Sequence, residues 1–163
     1  MTRTERVLQW VLDELRDRVT LAIQSDPMVY DDCPLPRVYH FGLPDLRRVS
    51  AMPIVAVELD SETLATRTLG GVGVGRRERV IPVMVVIAHA HREEERLMRQ
   101  LIQLCDAVVQ VLEQSSQSGA WLIQDVGLVD FSPPIEGEQS MPFVRYAFVR
   151  TVVRARHARG EAG

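Results

Sequence analysis

Two histidines, His89 and His91, are the residues of this 163-residue chain whose type and spacing could most directly do chemistry. His89 lies in the apolar run RVIPVMVVIAHA, His91 follows it directly, and Glu93, Glu94 and Glu95 come next. Because alternate residues of a strand project to one face, both imidazoles could bind one metal ion. A metal site needs at least a third fixed ligand, and the glutamates equally suit the first turn of a helix, where carboxylates meet the positive end of the helix dipole. We therefore predict no metal site and no cofactor, with metal binding as the alternative.

A glycine-rich segment precedes this run and could in principle cradle a phosphate. Gly71, Gly73 and Gly75 read GxGxG and lead into a strand, whereas a dinucleotide fingerprint needs GxGxxG between a strand and a helix. All 19 basic residues are arginine, so the lysine of a P-loop and lysine-based catalysis are excluded. The segment is typical of a flexible, basic hairpin tip. Its residues are Gly70, Gly71, Gly73, Gly75, Arg76 and Arg77.

The remaining candidates for catalysis are isolated side chains. The sequence contains no GxSxG, HExxH or DxDxDG pattern. Cys105 falls in an apolar helical stripe and Cys33 in a proline-rich loop without a histidine nearby in sequence. Carboxylate pairs that could do acid/base work are common on protein surfaces. They are Asp31 with Asp32, and Asp60 with Glu62. We predict that the protein has no catalytic residues and is not an enzyme.

Composition narrows the class of protein. A formal net charge of −3 argues against a strongly basic nucleic-acid binder. Two cysteines are too few for a disulfide framework and fit a reducing compartment. The sequence has no apolar run of about 18 residues, and its N-terminus carries charges where a signal peptide would be apolar. We therefore expect a soluble protein that does not interact with a membrane.

Hydrophobic periodicity predicts the elements that position these residues. An amphipathic helix runs from Thr2 to about Gln24, and a second runs from Arg92 to Gln114. Residues 25–53 are proline-rich and favour a long, partly extended connection. Four segments favour strands: PIVAVELDSE, RVIPVMVVIAHA, AWLIQDVGLVDF and MPFVRYAFVRTVVRAR. The second is apolar on both faces and so central in a sheet, although Pro82 requires an edge position or a bulge.

These elements define a single α+β domain over residues 1–156, followed by a disordered tail over residues 157–163. We predict a mixed, mostly antiparallel sheet of four to five strands with two helices packed on it, in the order α-β-(β)-β-α-β-β. Trp10 falls outside the apolar stripe of the first helix and is a candidate for a subunit interface. Arginines of the last strand are further candidates, as partners in subunit salt bridges. They are Arg150, Arg154 and Arg156.

The chain resembles the tail terminator, or minor tail completion, proteins of long-tailed bacteriophages. The resemblance lies in the order of helix, proline-rich loop, PIVAVELD strand, Gly/Arg-rich tip, RVIPVMVVIAHA strand, long helix and closing strands. RVYHFGLPDLRRVSAMP before the first strand and PFVRYAFVRTVVRAR at the end add to it. The resemblance covers nearly the whole chain. It concerns the order of the elements and the types of residue in each of them rather than an invariant motif.

The resemblance implies a structural virion protein, assembled in the host cytoplasm, that works by assembly rather than chemistry. It implies a mixed sheet with both helices against it and a hexameric ring that caps the tail tube. The partners implied are other copies of the chain, the tail tube protein and the head connector, and the tip would dock on the tube or on a neighbour. Genomic DNA would pass through without specific binding. Acidic side chains would then line the lumen, with Glu58, Asp60, Glu62, Glu93, Glu94 and Glu95 as candidates.

Two alternatives come from other classes of function. Another ring-forming neck or connector protein of the head-tail junction would share the α/β plan, and the location of the ring in the virion would distinguish it. A small metalloenzyme built on His89 and His91 is the more distant alternative, and metal analysis of the purified protein would test it.

Overall fold

The first helix, α1 (Arg3–Ser25), begins at the predicted capping box. A computed structural model describes residues 1–45, 51–60, 80–115, 117–118, 121–133 and 142–155. The hydroxyl of Thr2 accepts a hydrogen bond from the backbone N–H of Glu5 at 3.2 Å, and the Glu5 carboxylate accepts one from the N–H of Thr2. Two N–H groups at the helix N-terminus are thereby satisfied, which fixes where the helix begins. The buried residues of α1 are Val7, Leu8, Val11, Leu12, Leu15, Val19 and Ile23.

The second helix, α2 (Glu94–Gln114), presents a continuous apolar stripe to α1 and to the sheet. Glu94 and Glu95 occupy its first turn, where the helix dipole favours negative charge. Cys105 lies inside the stripe and is buried, as predicted from its spacing. The buried apolar residues of α2 are Leu97, Leu101, Leu104, Cys105, Ala107, Val108, Val111 and Leu112. Neither described helix is long and apolar enough to cross a membrane.

In the described parts of the chain, six strands form one mixed sheet in the order β1-β2-β3-β6-β5-β4. Only β1 and β2 are parallel, and the other neighbours are antiparallel. The bounds are β1 (Val38–Phe41), β2 (Ile54–Leu59), β3 (Val80–His91), β4 (Gln117–Ser118), β5 (Trp121–Phe131) and β6 (Phe143–Ala155). The predicted α+β fold with two helices on a mixed, mostly antiparallel sheet is confirmed. The two additional strands are short: β1 lies inside the proline-rich connection, and β4 has two residues. Such short strands show little alternation of apolar and polar residues, which is the pattern that predicts a strand.

Strand β3 is central because it pairs with β2 on one side and along its whole length with β6 on the other. Pro82 lies where the ladder with β2 stops: the last register pair joins Leu59 to Val83, and the N–H of Asp60 donates to the Pro82 carbonyl at 3.0 Å. The N and C=O of one strand residue point to the same side, so the missing N–H of proline also faces β2. The predicted edge position is therefore local, at the end of β2.

The two faces of the sheet differ in what covers them. Odd-numbered residues of β3 and β6, such as Val85 and Val149, contact the helices and form the main core. On the second face, Val86 and Ala88 are buried, whereas the residues of β6 there are half-buried. The Tyr146 and Phe148 rings stack on that face with centroids 6.5 Å apart. Strand β5 is irregular beside β6, with register shifts between Ile123 and Asp125 and between Val126 and Val129.

We expect Leu101→Ala to lower the free energy of unfolding by about 2–5 kcal/mol, because a fully buried leucine side chain leaves a cavity between helix and sheet. Ile102→Ala, at the next position of α2, is the matched control, since Ile102 is 40% exposed and should cost less than about 1 kcal/mol. Urea denaturation monitored by circular dichroism measures both. Equal losses for the two variants would contradict the assigned helix face.

Candidate functional site

A polar cluster joins the central strand, helix α2 and the segment that follows α1. His89 lies on the helix-facing side of β3 and is only 6% exposed. Its Nε2 is 2.7 Å from Oε1 of Gln100, whose Nε2 donates to Oδ1 of Asp32 at 3.2 Å. Arg96 donates to both carboxylate oxygens of Asp32, from Nε at 3.2 Å and from Nη2 at 3.0 Å. A chain of hydrogen bonds thus runs from the sheet to the surface.

The direction of this chain fixes the tautomer of His89. The Asp32 carboxylate only accepts, so the amide nitrogen of Gln100 faces Asp32 and its oxygen faces His89. His89 must therefore donate from Nε2, which leaves Nδ1 as the acceptor of a neutral ring. That Nδ1 is buried and has no hydrogen-bond partner among the residues that the structure describes. Burial lowers the pKa of His89 below its ordinary value, in agreement with a neutral imidazole.

A second set of bonds extends the contact along α2. Asp31 accepts from Nη2 of Arg99 at 2.9 Å and from Nε2 of Gln103 at 2.8 Å. Oε1 of Gln103 accepts the backbone N–H of Asp32 at 3.1 Å. Further along the helix, the Tyr30 hydroxyl donates to Oε1 of Gln110 at 2.6 Å. We call residues 26–37 the connecting segment, and these bonds hold its first half against α2.

The surface of this cluster is an open pocket of about 550 Å³. It is lined by Asp31, Asp32, Glu93, Glu95, Arg96 and Arg99. Both guanidinium groups are engaged by the two aspartates, and hydrogen bonding from Arg96 lowers the pKa of the Asp32 carboxyl. Asp32 is therefore an ionised acceptor at neutral pH and not a general acid. A neighbouring apolar groove of about 350 Å³ shares Glu95 and Arg99 and contains Met98 and Ile102.

The two histidines do share a face of β3, as their spacing predicts, but they bind different partners. Nδ1 of His91 accepts the backbone N–H of Glu93 at 3.0 Å, while Nε2 of His89 faces Gln100. Over the described parts of the chain, no group of three or more His, Cys, Asp or Glu side chains could hold a metal ion. Within the described residues, the two imidazoles therefore take part in separate hydrogen bonds.

Neither cysteine is activated. Burial raises the pKa of the Cys33 thiol to about 12, and the nearby carboxylates of Asp32 and Asp106 act in the same direction. Burial likewise raises the pKa of Cys105 to about 12. Because the thiolate is the nucleophile, both groups are protonated and poorly reactive near neutral pH.

The acidic lumen candidates lie in two separate places. Glu93, Glu94 and Glu95 are exposed at the N-terminus of α2. Glu58 pairs in register with Met84, seven strand steps or about 23 Å from His91, which precedes the glutamates. The Glu58 carboxylate accepts the N–H of Leu43 at 3.2 Å.

Asp60 and Arg150 form an ion pair within the chain, with 3.7 Å between Oδ2 and Nε. Asp60 is only 3% exposed, so in the single subunit it does not present the surface charge that we expected of a lumen residue. Its position at the end of a strand with alternating apolar and polar residues predicted a solvent-facing side chain. In the structure, the guanidinium of Arg150 on β6 pairs with it instead. The pair also gives Arg150 an intrachain partner, where its position in the sequence predicted a partner in another subunit.

Trp10 packs partly against the core of its own chain and keeps intermediate exposure, so its place at a subunit interface stays a prediction. Leu21, the other residue outside the stripe of α1, is 63% exposed. Arg154 is half-buried on the second face of the sheet. The remaining predicted residues, and the predicted disordered tail, lie outside the described parts of the chain. They are Gly70, Gly71, Gly73, Gly75, Arg76, Arg77, Glu62 and Arg156.

The contact between the connecting segment and α2 was not predicted. Arg96, Arg99, Gln100 and Gln103 repeat at steps of three and four, which places them along one polar edge of the helix. Such an edge beside an apolar stripe is the only signal that the sequence offers for it. Its partners stand about 70 residues earlier, in a segment without regular periodicity.

Comparison with known proteins finds neither a family model nor a curated protein that matches the chain.

We expect Gln100→Met to lower the free energy of unfolding by about 1–3 kcal/mol, because the buried Nε2–H of His89 loses its acceptor while the side-chain volume is kept. Gln114→Met, at the exposed end of the same helix, should change the stability by less than about 0.5 kcal/mol. Chemical denaturation at pH 7.5 compares the two. A neutral effect of Gln100→Met would show that the His89–Gln100 bond does not stabilise the fold.

We expect both thiols of the folded protein to react with iodoacetamide at pH 8 at least about 100-fold more slowly than free cysteine, because their raised pKa values leave little thiolate. Mass spectrometry of the alkylated protein over time measures the rates, and the protein unfolded in guanidinium is the control. Modification of native Cys33 at the rate of free cysteine would contradict the buried position of its thiol.

Proposed function

We propose that the protein is a structural virion component of the tail-terminator type, which assembles as a hexameric ring on the end of a long phage tail tube. In this role it ends tube polymerisation and provides the surface that joins the tail to the head connector. The observation that carries the proposal is the fold itself: a mixed sheet with both helices on one face, in the element order that the sequence resemblance implies.

A surface suited to assembly supports the proposal. The second face of the sheet carries half-buried aromatic side chains on β6, Tyr146 and Phe148, next to Arg150 and Arg154. Aromatic and arginine side chains are enriched where protein surfaces associate, because they combine large apolar area with directional hydrogen bonding. We assign this face, including Arg154, to the contact between subunits.

The distribution of charge is compatible with the passage of DNA. Three exposed carboxylates, those of Glu93, Glu94 and Glu95, stand together at the N-terminus of α2. A lumen that carried such groups would repel the phosphate backbone over a Debye length of about 8–10 Å. The buried Asp60 is no longer among the residues that we propose for this role.

Oligomeric mass and tube capping test the proposal together. We expect light scattering of the protein alone to give about 110 kDa, six times the 18.4 kDa of one chain. Electron microscopy should show rings on one end of the tubes and tubes that no longer elongate. A ring that binds only the head connector would favour a neck protein instead.

Phe148→Asp should prevent ring formation, because a carboxylate at the centre of the assigned face would be desolvated without a partner. The control is Gln24→Glu, which adds a charge at an exposed position of α1 and should leave the ring intact. Circular dichroism verifies that both variants fold. A mass of one subunit for the unmodified protein, with tubes that continue to elongate in its presence, would contradict the proposal.

A further inference from the structure

The connecting segment is held to α2 through side chains, in contrast to the backbone ladders that hold the sheet. Asp31 and Asp32 supply its acceptors for Arg96 and Arg99, and Gln100 links Asp32 to His89. Such bonds can open without any change in the strands. These hydrogen bonds end inside the protein at His89. The protonation state of His89 therefore affects how strongly the connecting segment is held to α2.

We call the arrangement in which the connecting segment is bonded to α2 the closed state. This state accommodates a neutral His89 and not a protonated one. Protonation would place a new N–H donor at Nδ1, a buried atom without a partner among the described residues. It would also add a positive charge close to other cationic or titratable groups. The cationic or titratable groups on the elements around it are His91 on β3, Arg145 at the register-paired position of β6 and Arg96 on α2. The acidic groups there are Asp31 and Asp32 of the connecting segment and Glu93 before α2, and of all these His91 and Asp32 act on the pKa of His89.

Arg145 contributes to this environment because it lies on the same side of the sheet as the helices. Its Nη1 donates to the sulfur of Met98 on α2 at 3.1 Å, and its Nε donates to the Ser132 carbonyl at 2.9 Å. These contacts keep the guanidinium between β6 and α2. Among the described residues, Asp32 is the only carboxylate linked to His89 by hydrogen bonds, and the amide group of Gln100 intervenes.

We propose that His89 is a proton-sensitive anchor for the connecting segment, and that its protonation releases residues 26–33 from α2 while the helices and sheet stay folded. Release breaks the Asp31–Arg99 and Asp32–Arg96 pairs and so rearranges the open pocket at the N-terminal half of α2. This inference concerns the single subunit and does not depend on the proposed function.

The sign of the pH dependence follows from the burial of the ring. The closed state holds His89 neutral, with a lowered pKa, so the closed state is most stable above the ordinary histidine value of about 6.5 and loses stability as the pH falls below it. The pKa of Asp32 is also lowered, but from an ordinary value of 3.8, so this carboxylate gains a proton only in stronger acid. Above about pH 4 the carboxylate of Asp32 therefore stays ionised. Substitutions separate the effect of His89 from that of His91 and of Asp106 on α2, whose pKa burial raises.

Hydrogen–deuterium exchange with peptide-level mass spectrometry tests the inference on the full chain at pH 7.5 and 5.5, after correction for the intrinsic pH dependence of exchange. We expect peptides that cover residues 26–33 to lose protection by up to about tenfold at pH 5.5, one pH unit below the ordinary histidine pKa. Peptides from β3 and from the second half of α2 should keep theirs. His89→Gln keeps an N–H donor without a titratable group and should abolish the change, whereas His91→Gln should retain it.

A second variant covers the case in which His89→Gln does not fold. Gln100→Met separates the segment from the histidine, so residues 26–33 should exchange rapidly at both pH values. Three results would overturn the inference: a wild-type segment equally protected at both pH values, a pH step that persists in His89→Gln or Gln100→Met, or a loss of protection that spreads over the whole chain at once.

Discussion

The pairing of β3 with β6 is the interaction on which the rest of the structure depends. The two strands are in continuous antiparallel register from Val80 opposite Arg154 to His91 opposite Phe143. Because the register is uninterrupted, odd-numbered residues of both strands stay on one face and form an apolar floor for the helices. A shift of β6 by one residue would turn Val149 outward and bring the charged Arg150 beneath α2. The same register places His89 under the N-terminal half of α2, where Gln100 can reach it.

Polar groups can be buried on the helix-facing side of the sheet where each has a specific hydrogen-bond partner. The amide of Gln100 satisfies a donor on one side and an acceptor on the other, so a single side chain links the neutral histidine to the charged Asp32. In a low-dielectric interior such an arrangement is favourable only when its members are satisfied, and Nδ1 of His89 is the member for which the described residues provide no partner. The same imidazole thus binds Gln100 through Nε2 and, in the proposed anchor, takes up a proton at Nδ1.

Local signals in the sequence were enough to predict the main elements. The capping box at Thr2 and the apolar stripe of α2 act over a few residues, and the structure has both where they were predicted. Pro82 was correctly identified as a position that limits pairing. What the sequence could not provide was contact between distant segments. The pairing of Asp60 with Arg150 and the bonds from Asp31 and Asp32 to α2 join residues about 70 or more positions apart, which no periodicity encodes. Partial packing of Trp10 has the same cause, since it depends on which segments lie beside α1.

The irregular outer strand has a consequence for solubility. An unpaired strand edge is a template for aggregation. Here β5 carries two register shifts, an exposed glycine at Gly127 and an exposed carboxylate at Asp130, and only the two-residue β4 pairs beyond it in the described sheet. At the opposite edge, β1 has four residues and is followed by Gly42, whose φ of +78° turns the chain away from an extended path. Short, bent or charged edges disfavour intermolecular β-pairing, so stray copies of the subunit would be kept from stacking into amyloid-like fibres.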